Sequence, residues 1–272
     1  MAPGEVNDDL ARERANCNFD IQEFTYLIDG GKEETEKRKK IEDILLSDDE
    51  MRDKIPEEYL SHKDKYENSI RKTCLLSNII RNKLDNTSKY IDPTSLAIVK
   101  DMSPILLHKL FIGTIKGQAS QEQQNHWLPR ALNSSIFGTY AQTEMGHGTF
   151  LRGLETKATY DPESEQFILH SPTLTSFKWW PGALGQTANH CVVLAQLYTK
   201  GKCHGIHFFI IKIRDEETHM PLPGIKLGDI GPKMGFNSTN NGFMGFDNVR
   251  VPRDALLSKY SQVLKVSTYR YS

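Results

Sequence analysis

Near Asn133 the spacing of apolar residues changes, from a period of about 3.6 to a period of about 2, and no one-layer fold accommodates both. Before that point Ile41, Ile44 and Leu45, then Ile70, Leu75, Leu76, Ile79 and Ile80, recur at helical spacing. Pro104-Ile105-Leu106-Leu107 opens another helix, which Leu110, Phe111, Ile112 and Ile115 continue and Gly117 is expected to close. Ser120-Gln121-Glu122-Gln123 has the form of a capping box and predicts a helix from Gln121 to about Leu132. After Asn133, Ala158-Thr159-Tyr160 and Gln166-Phe167-Ile168-Leu169 read as strands joined by the turn Asp161–Glu165. Cys191–Leu197 and Ile206–Ile211 are short, β-branched and apolar, the profile of buried strands. Six glycines from Gly224 to Gly245 suit turns and bulges better than a helical bundle. The expectation is an α+β chain with a helical N-terminal domain, residues 1–133, and an all-β barrel domain, residues 134–272.

At 272 residues and 38% hydrophobic content the chain can bury a real core, so disorder is not expected. The net charge of −1 excludes the basic footprint of a nucleic-acid binder. Lys32–Lys40 alternates in sign and reads as a solvated helix face with i,i+4 pairs. No stretch approaches the ~18 apolar residues of a membrane span, and Met1–Arg14 lacks the apolar run of a secretory signal. The Asn-x-Ser/Thr matches at Asn86, Asn133 and Asn237 are accordingly read as unglycosylated. Cys17, Cys74, Cys191 and Cys203 follow no framework spacing and read as free thiols in a reducing compartment.

Two segments carry candidate chemistry. Gly138-Thr139-Tyr140-Ala141-Gln142-Thr143-Glu144-Met145-Gly146-His147-Gly148-Thr149 runs from a strand into a loop with close glycines and several hydroxyls. Such a loop can bring backbone N–H groups up to a ligand; it serves equally as a polar turn. Its spacing matches neither the dinucleotide-binding glycine pattern nor a P-loop. Lys178-Trp179-Trp180-Pro181-Gly182 sets two tryptophans before a Pro-Gly turn. On a strand one ring would enter the core and the other would line a cavity, a wall for a flat ring system, although core packing alone also accounts for them. Cys203-His204-x-x-His207 lacks a second ligand pair, and its histidines would point to opposite faces of a strand, so no metal is assigned. His147 has no partner with triad logic and reads as an ordinary hydrogen-bonded loop histidine.

Together these segments resemble the flavin-domain signature of the peroxisomal acyl-CoA oxidases. The likeness continues in order through Leu151–Thr156, Ala158–Asp161, Ser171–Thr173, Pro221–Ile225, Gly228–Lys233 and Asn241-Gly242, and more weakly through Phe19–Leu132, including Ile28-Asp29-Gly30-Gly31. The resemblance implies a helical N-terminal domain, a central β-barrel holding FAD and a C-terminal helical bundle. It implies oxidation of an acyl-CoA substrate to the 2-trans-enoyl-CoA, with molecular oxygen reduced to hydrogen peroxide, by a homodimer in the peroxisome. Thr143 would bond the flavin ring system and Gly182 would present its backbone near the reactive flavin nitrogen. The related dehydrogenases carry threonine at the position of Gly182, so the glycine would leave room for oxygen. The family's catalytic base is a glutamate of the C-terminal helical part, which would lie beyond residue 272. Glu144 and Glu155 do not match it, and no catalytic residue is assigned.

The chain follows the family pattern through Lys259–Val263 and then ends in Leu264–Ser272, which is not a Ser-Lys-Leu type peroxisomal signal. The C-terminal bundle, the base and the address are thus expected to be absent. Two readings follow: an acyl-CoA oxidase front part, or a non-catalytic flavin-binding or dimer-interfering product.

Overall fold

A computed structural model of the chain describes residues 7–84, 95, 97–99 and 105–271. Asn86 and Pro104 lie outside them. Helices come first: α1 (Asp8–Ala15), α2 (Ile21–Asp29), α3 (Lys32–Leu46), α4 (His62–Lys83), α5 (Ile105–Gln118) and α6 (Gln121–Leu132). From Gly138 onward the regular elements are strands and short 3-10 turns. The α+β class holds. The chain divides into two compact units, Met1–Lys54 with Cys74–Ile98, and Ile55–Thr73 with Val99–Ser272.

In the first unit, Asp20 caps α2 by accepting the Glu23 N–H, and Gly30, at φ 92°, ends it in the left-handed conformation that glycine adopts without strain. The charge run forms the solvated face expected of it. Lys37 meets Glu33 and Glu34 at 2.9 and 3.0 Å, and Arg38 meets Glu42 at 2.5 Å and Asp29 at 3.1 Å.

In the second unit, α5 runs one residue past Gly117, because Ala119 N–H still reaches Ile115 O at 3.0 Å. The stop comes from Ser120, whose hydroxyl and backbone exchange bonds with Gln123 in the expected capping box. The Gln123 amide also donates to Asp254 O and Leu256 O, both at 2.8 Å, tying α6 to a segment far along the chain. His108 joins three elements. Its ring stacks between Phe111 and Phe137, bonds Ala131 O at 2.8 Å through Nε2 and accepts the Gly138 N–H at 3.0 Å through Nδ1.

The strands are β1 (Gly138–Ala141), β2 (Lys157–Asp161), β3 (Gln166–His170), β4 (Lys178–Trp179), β5 (His190–Thr199), β6 (Lys202–Lys212), β7 (Ile225–Asp229), β8 (Gly242–Phe246), β9 (Val249–Pro252), β10 (Ser261–Val263) and β11 (Tyr269–Tyr271). They form three sheets. The largest is built on β5, which pairs antiparallel with β6 along its length and parallel with β1 and then β2. β4, β8 and β7 form the second sheet, and β10 with β11 the third. Both faces of β5 are covered. Val193 and Leu197 join Phe167, Phe209 and Met244 in one cluster, while Val192 joins Phe111, Ile115 and Ile210 in another. Hence β5 reads as a continuous apolar run instead of an alternating one.

The register slips between Gln196 and Tyr198, where Gly205, at φ 84°, takes up the extra residue of a bulge. This reverses the alternation across Gly205. His204 and His207 therefore share a face, both against the Tyr269 ring, instead of pointing apart. All four cysteines are free, with Cys191 buried. Among the described residues, no helix is long and apolar enough to cross a membrane.

Candidate functional site

β1 delivers the chain into Gln142-Thr143-Glu144, and β4 delivers it into Trp180-Pro181-Gly182. A bridge between Glu144 and Lys178 and a 3.0 Å bond from Trp179 N–H to Thr143 O hold the two exits together. Where they diverge lies a cavity of about 390 Å³. Its walls are Tyr140, Gln142 and Thr143, then Trp180, Pro181 and Gly182, then Phe236, Thr239 and Asn241, with Leu107 from α5. The structure thus brings Thr143 and Gly182 to one cavity.

The tryptophans divide as their strand positions require. Trp179 is half-buried and stacks on Phe243, while Trp180 is half-exposed and lines the cavity. Trp180 sits at φ 89°, and Ala183, Phe236 and Asn240 are also left-handed at 62°, 57° and 58°. Bulky residues reach this region only where the surroundings over-determine them, most often at functional sites. For Trp180 the constraint is visible: its N–H donates to Gly242 O at 3.0 Å and its carbonyl accepts from the Asn241 amide at 2.6 Å.

The cavity's polar groups are few and largely uncommitted. Asn241 is 3% exposed, and its Oδ1 is buried without a hydrogen-bond partner. The Thr143 hydroxyl and the Gly182 N–H also lack partners among the described residues. The Gly182 carbonyl accepts the Thr139 hydroxyl at 2.6 Å. A Cβ on Gly182 would lie 2.5 Å from Thr239 Cγ2 and 2.8 Å from Leu107 Cδ2. The missing side chain therefore admits Leu107 and Thr239; it does not leave the open space expected from the sequence. These two residues, Phe236 and Asn241 are the lining that sequence reasoning did not assign a role, and only the Asn241-Gly242 match within the resemblance pointed to it.

Beneath the cavity loops lies an ion pair with no exposed atoms. Lys178 Nζ stands 3.0 Å from Glu144 Oε1, with both side chains 0% exposed, and also donates to Gln142 O at 3.1 Å. Glu144 further accepts the Glu155 N–H at 2.7 Å, the Thr156 N–H at 2.9 Å and the Thr156 hydroxyl at 2.6 Å. Burial lowers the Lys178 pKa, and the Glu144 charge opposes that shift. Arg214, 3% exposed, bonds the carbonyls of Leu184, Gly185 and Ala188 just past Gly182, and burial brings its pKa down to about 10.

His147 differs from expectation. Its Nε2 is buried without a hydrogen bond and stands 3.8 Å from Glu155 Oε2. Glu144, His147 and Glu155 offer ligand atoms within 4.8 Å of one another. A cation there would have to displace Lys178 and the three donors that already fill the Glu144 oxygens. The Glu155 carboxyl is held below its usual range by the Thr173 and Thr175 hydroxyls, each at 2.6 Å.

Comparison with known proteins decides the family. Residues 20–137 match the acyl-coenzyme A oxidase N-terminal family. The chain is 46% identical to acyl-coenzyme A oxidase 1 of Drosophila melanogaster across 99% of its own length and 42% of that protein's. It is also 46% identical to human peroxisomal acyl-coenzyme A oxidase 1, across 97% of this chain and 40% of that one. Crystalline acyl-CoA oxidase-1 of Caenorhabditis elegans superimposes with a TM-score of 0.92 at 43% identity, covering 100% of this chain and 43% of the other. The chain belongs to the acyl-CoA oxidase family. It spans about two fifths of the length of the curated relatives it matches. Acyl-CoA oxidase-2 of the same nematode, solved with FAD, ascaroside-CoA and ATP, aligns over 100% of this chain and 41% of its own, with a TM-score of 0.89 at 40% identity.

Proposed function

We propose that this chain is the flavin- and acyl-contacting part of an acyl-CoA oxidase, an FAD-dependent enzyme of peroxisomal fatty-acid β-oxidation. The observation that carries the reading is the convergence of Thr143 and Gly182 on one cavity beside Trp180. At about 390 Å³ the cavity falls in the size range of small-ligand sites and is mostly apolar with a few placed polar groups. Those groups fit a flat heteroaromatic ring. The Gly182 N–H and Thr143 hydroxyl are free to bond its heteroatoms, Asn241 Oδ1 is a buried acceptor without a donor, and Trp180 supplies an aromatic wall. FAD bound there would supply hydride acceptance from the acyl-CoA β-carbon and electron delivery to oxygen. The chain's own share is orientation: Trp180, left-handed at φ 89°, and the backbone of Gly182 set the wall, and Leu107 and Thr239 exclude water beside Gly182.

The cavity lining contains no Asp, Glu, His, Lys or Arg. Removal of the α-proton is therefore assigned to a group outside the lining described here, consistent with a base carried by the family's C-terminal helical part. The same observation supports a second reading, a non-catalytic flavin-binding or dimer-interfering product. We assign residues 1–133 to the helical part and 134–272 to the FAD-binding part, with homodimerisation, oxygen as acceptor and peroxisomal location following from the family. The test is the visible spectrum of the purified chain before and after a long-chain acyl-CoA is added. Bound flavin bleached by substrate, with peroxide formed, supports the oxidase. Bound flavin that stays oxidised supports the second reading, and a chain unable to take up FAD overturns both.

A further inference from the structure

We propose that the Lys178–Glu144 pair is a positioning device for the cavity: it fixes the Thr143 loop against the Trp180–Gly182 wall. Thr143 and Trp180 belong to segments that separate immediately after the Glu144–Lys178 bridge. A single lysine spans the gap, holding Gln142 O on one side of Thr143 and the Glu144 carboxylate on the other, at 3.1 and 3.0 Å. Glu144 is in turn anchored to the start of β2 by the two N–H groups and the hydroxyl of Glu155 and Thr156. Two backbone bonds are clamped as a consequence, Trp179 N–H to Thr143 O at 3.0 Å and Met145 N–H to Phe177 O at 2.8 Å.

A pair this buried is a poor means of gaining stability, because desolvating two charges offsets most of their attraction, and apolar substitutes of similar size are often as stable. Directional bonds aimed at one carbonyl and one carboxylate do something that an apolar pair cannot: they set a register between two loops to within a hydrogen bond's tolerance. Neither Lys178 nor Glu144 lines the cavity, so neither is assigned contact with a ligand.

The test separates this inference from the flavin reading, on which only its second readout rests. Amide exchange of the unliganded chain is followed at Trp179 and Met145. In the wild type both should exchange at least about a hundredfold slower than exposed loop amides; exchange at loop rates would overturn the proposal without any variant. In the double variant Glu144→Gln with Lys178→Met, which leaves no unpaired buried charge, the cooperative melt should persist while both amides speed up about tenfold or more. FAD titration by quenching of flavin fluorescence should then weaken by about tenfold, the scale seen when one supporting contact behind a binding site is lost. A folded double variant with unchanged exchange at both amides and unchanged FAD affinity would show that the pair only fills space. Should the double variant not fold, Lys178→Arg, which keeps the charge and the donors but not the geometry, should speed exchange at Trp179 while preserving the melt, and unchanged exchange there sinks the idea. Failure of the wild type to bind FAD, with the exchange pattern as expected, would overturn the flavin reading and leave the clamp standing.

Discussion

The molecule handles charge in two ways, and the contrast between α3 and the cavity loops separates solvation from specification. On α3, Lys37 and Arg38 reach four carboxylates, yet every partner keeps contact with water; three of the bonds lie within one turn of α3, and the fourth joins Arg38 to Asp29 at the end of α2. At the cavity, Lys178 and Glu144 are wholly buried, and Arg214 is buried on three backbone carbonyls. An exposed pair loses little when broken because water replaces each partner. A buried one leaves a bare charge where no water can follow. Charge in the first region keeps a helix soluble; charge in the second fixes where loops go.

The sharpest break in this comparison is Lys178→Met alone, which strands the Glu144 carboxylate in the interior. Loss of about 3–5 kcal/mol of stability is expected, read as a fall in the denaturant midpoint of the second unit. An equal change from Lys37→Ala would erase the distinction between the regions.

Acid titration probes the buried side from another direction. Burial lowers the His190 pKa to about 4; Glu216, 3.9 Å away, opposes this, while Arg130 and Lys212 add to it. His190 is 1% exposed, so solvent does little to soften the shift. Its folded pKa lies below the unfolded one, and the unfolded chain takes the proton first. The stability contribution is therefore complete above about pH 6.5 and declines as pH falls toward 4, with on the order of 2 kcal/mol lost by pH 5. His190→Gln should flatten the stability curve between pH 7 and pH 4 relative to wild type. Parallel curves would mean that His190 is more hydrated than its burial indicates. His108, lowered by burial and held by Ala131 and Gly138, adds to the slope in both proteins.

A smaller effect is expected at Gly182. Its Cβ would overlap Thr239 Cγ2, a methyl of a stiff β-branched side chain, and Leu107 Cδ2, the end of a more adaptable one. Gly182→Ala should cost about 1–2 kcal/mol and weaken FAD uptake, because relief of the overlap moves the cavity wall. Pairing it with Thr239→Ser, which removes the nearest atom, should recover part of the stability, and no recovery would mean that the Leu107 contact dominates at this position.

How much of this was legible in the sequence follows from the range of each interaction. The switch from helices to strands, the α6 capping box and the β2–β3 hairpin depend on neighbours a few residues apart, and periodicity exposes them. The resemblance named Thr143 and Gly182, and the structure puts both on one cavity. The faces of His204 and His207 were misread because alternation assumes an unbroken ladder, and the Gly205 bulge inserts a residue. The neighbours of Gly182 could not be read at all. Leu107 and Thr239 come from distant segments, and a sequence records a glycine's missing side chain without saying what fills the space. Lys178 looked like any lysine beside a tryptophan, since burial belongs to the fold and not to the residue.

The smallest expected effect closes the comparison from the surface side. Glu33 and Glu34 raise the Lys37 pKa to about 12 through hydrogen bonds, yet the side chain remains 54% exposed. Screening at physiological salt weakens such pairs, and holding a long side chain in place costs rotamer entropy that offsets much of the attraction. Lys37→Ala should leave the denaturant midpoint within experimental error at 0.15 M salt, given a Debye length of about 8 Å. Any destabilisation should be measurable only at low ionic strength and should fade as salt is added. The Lys178→Met loss should be nearly independent of salt, because ions do not reach the pair. If both losses respond to salt alike, the buried pair is hydrated, and the difference drawn between the two regions is one of degree.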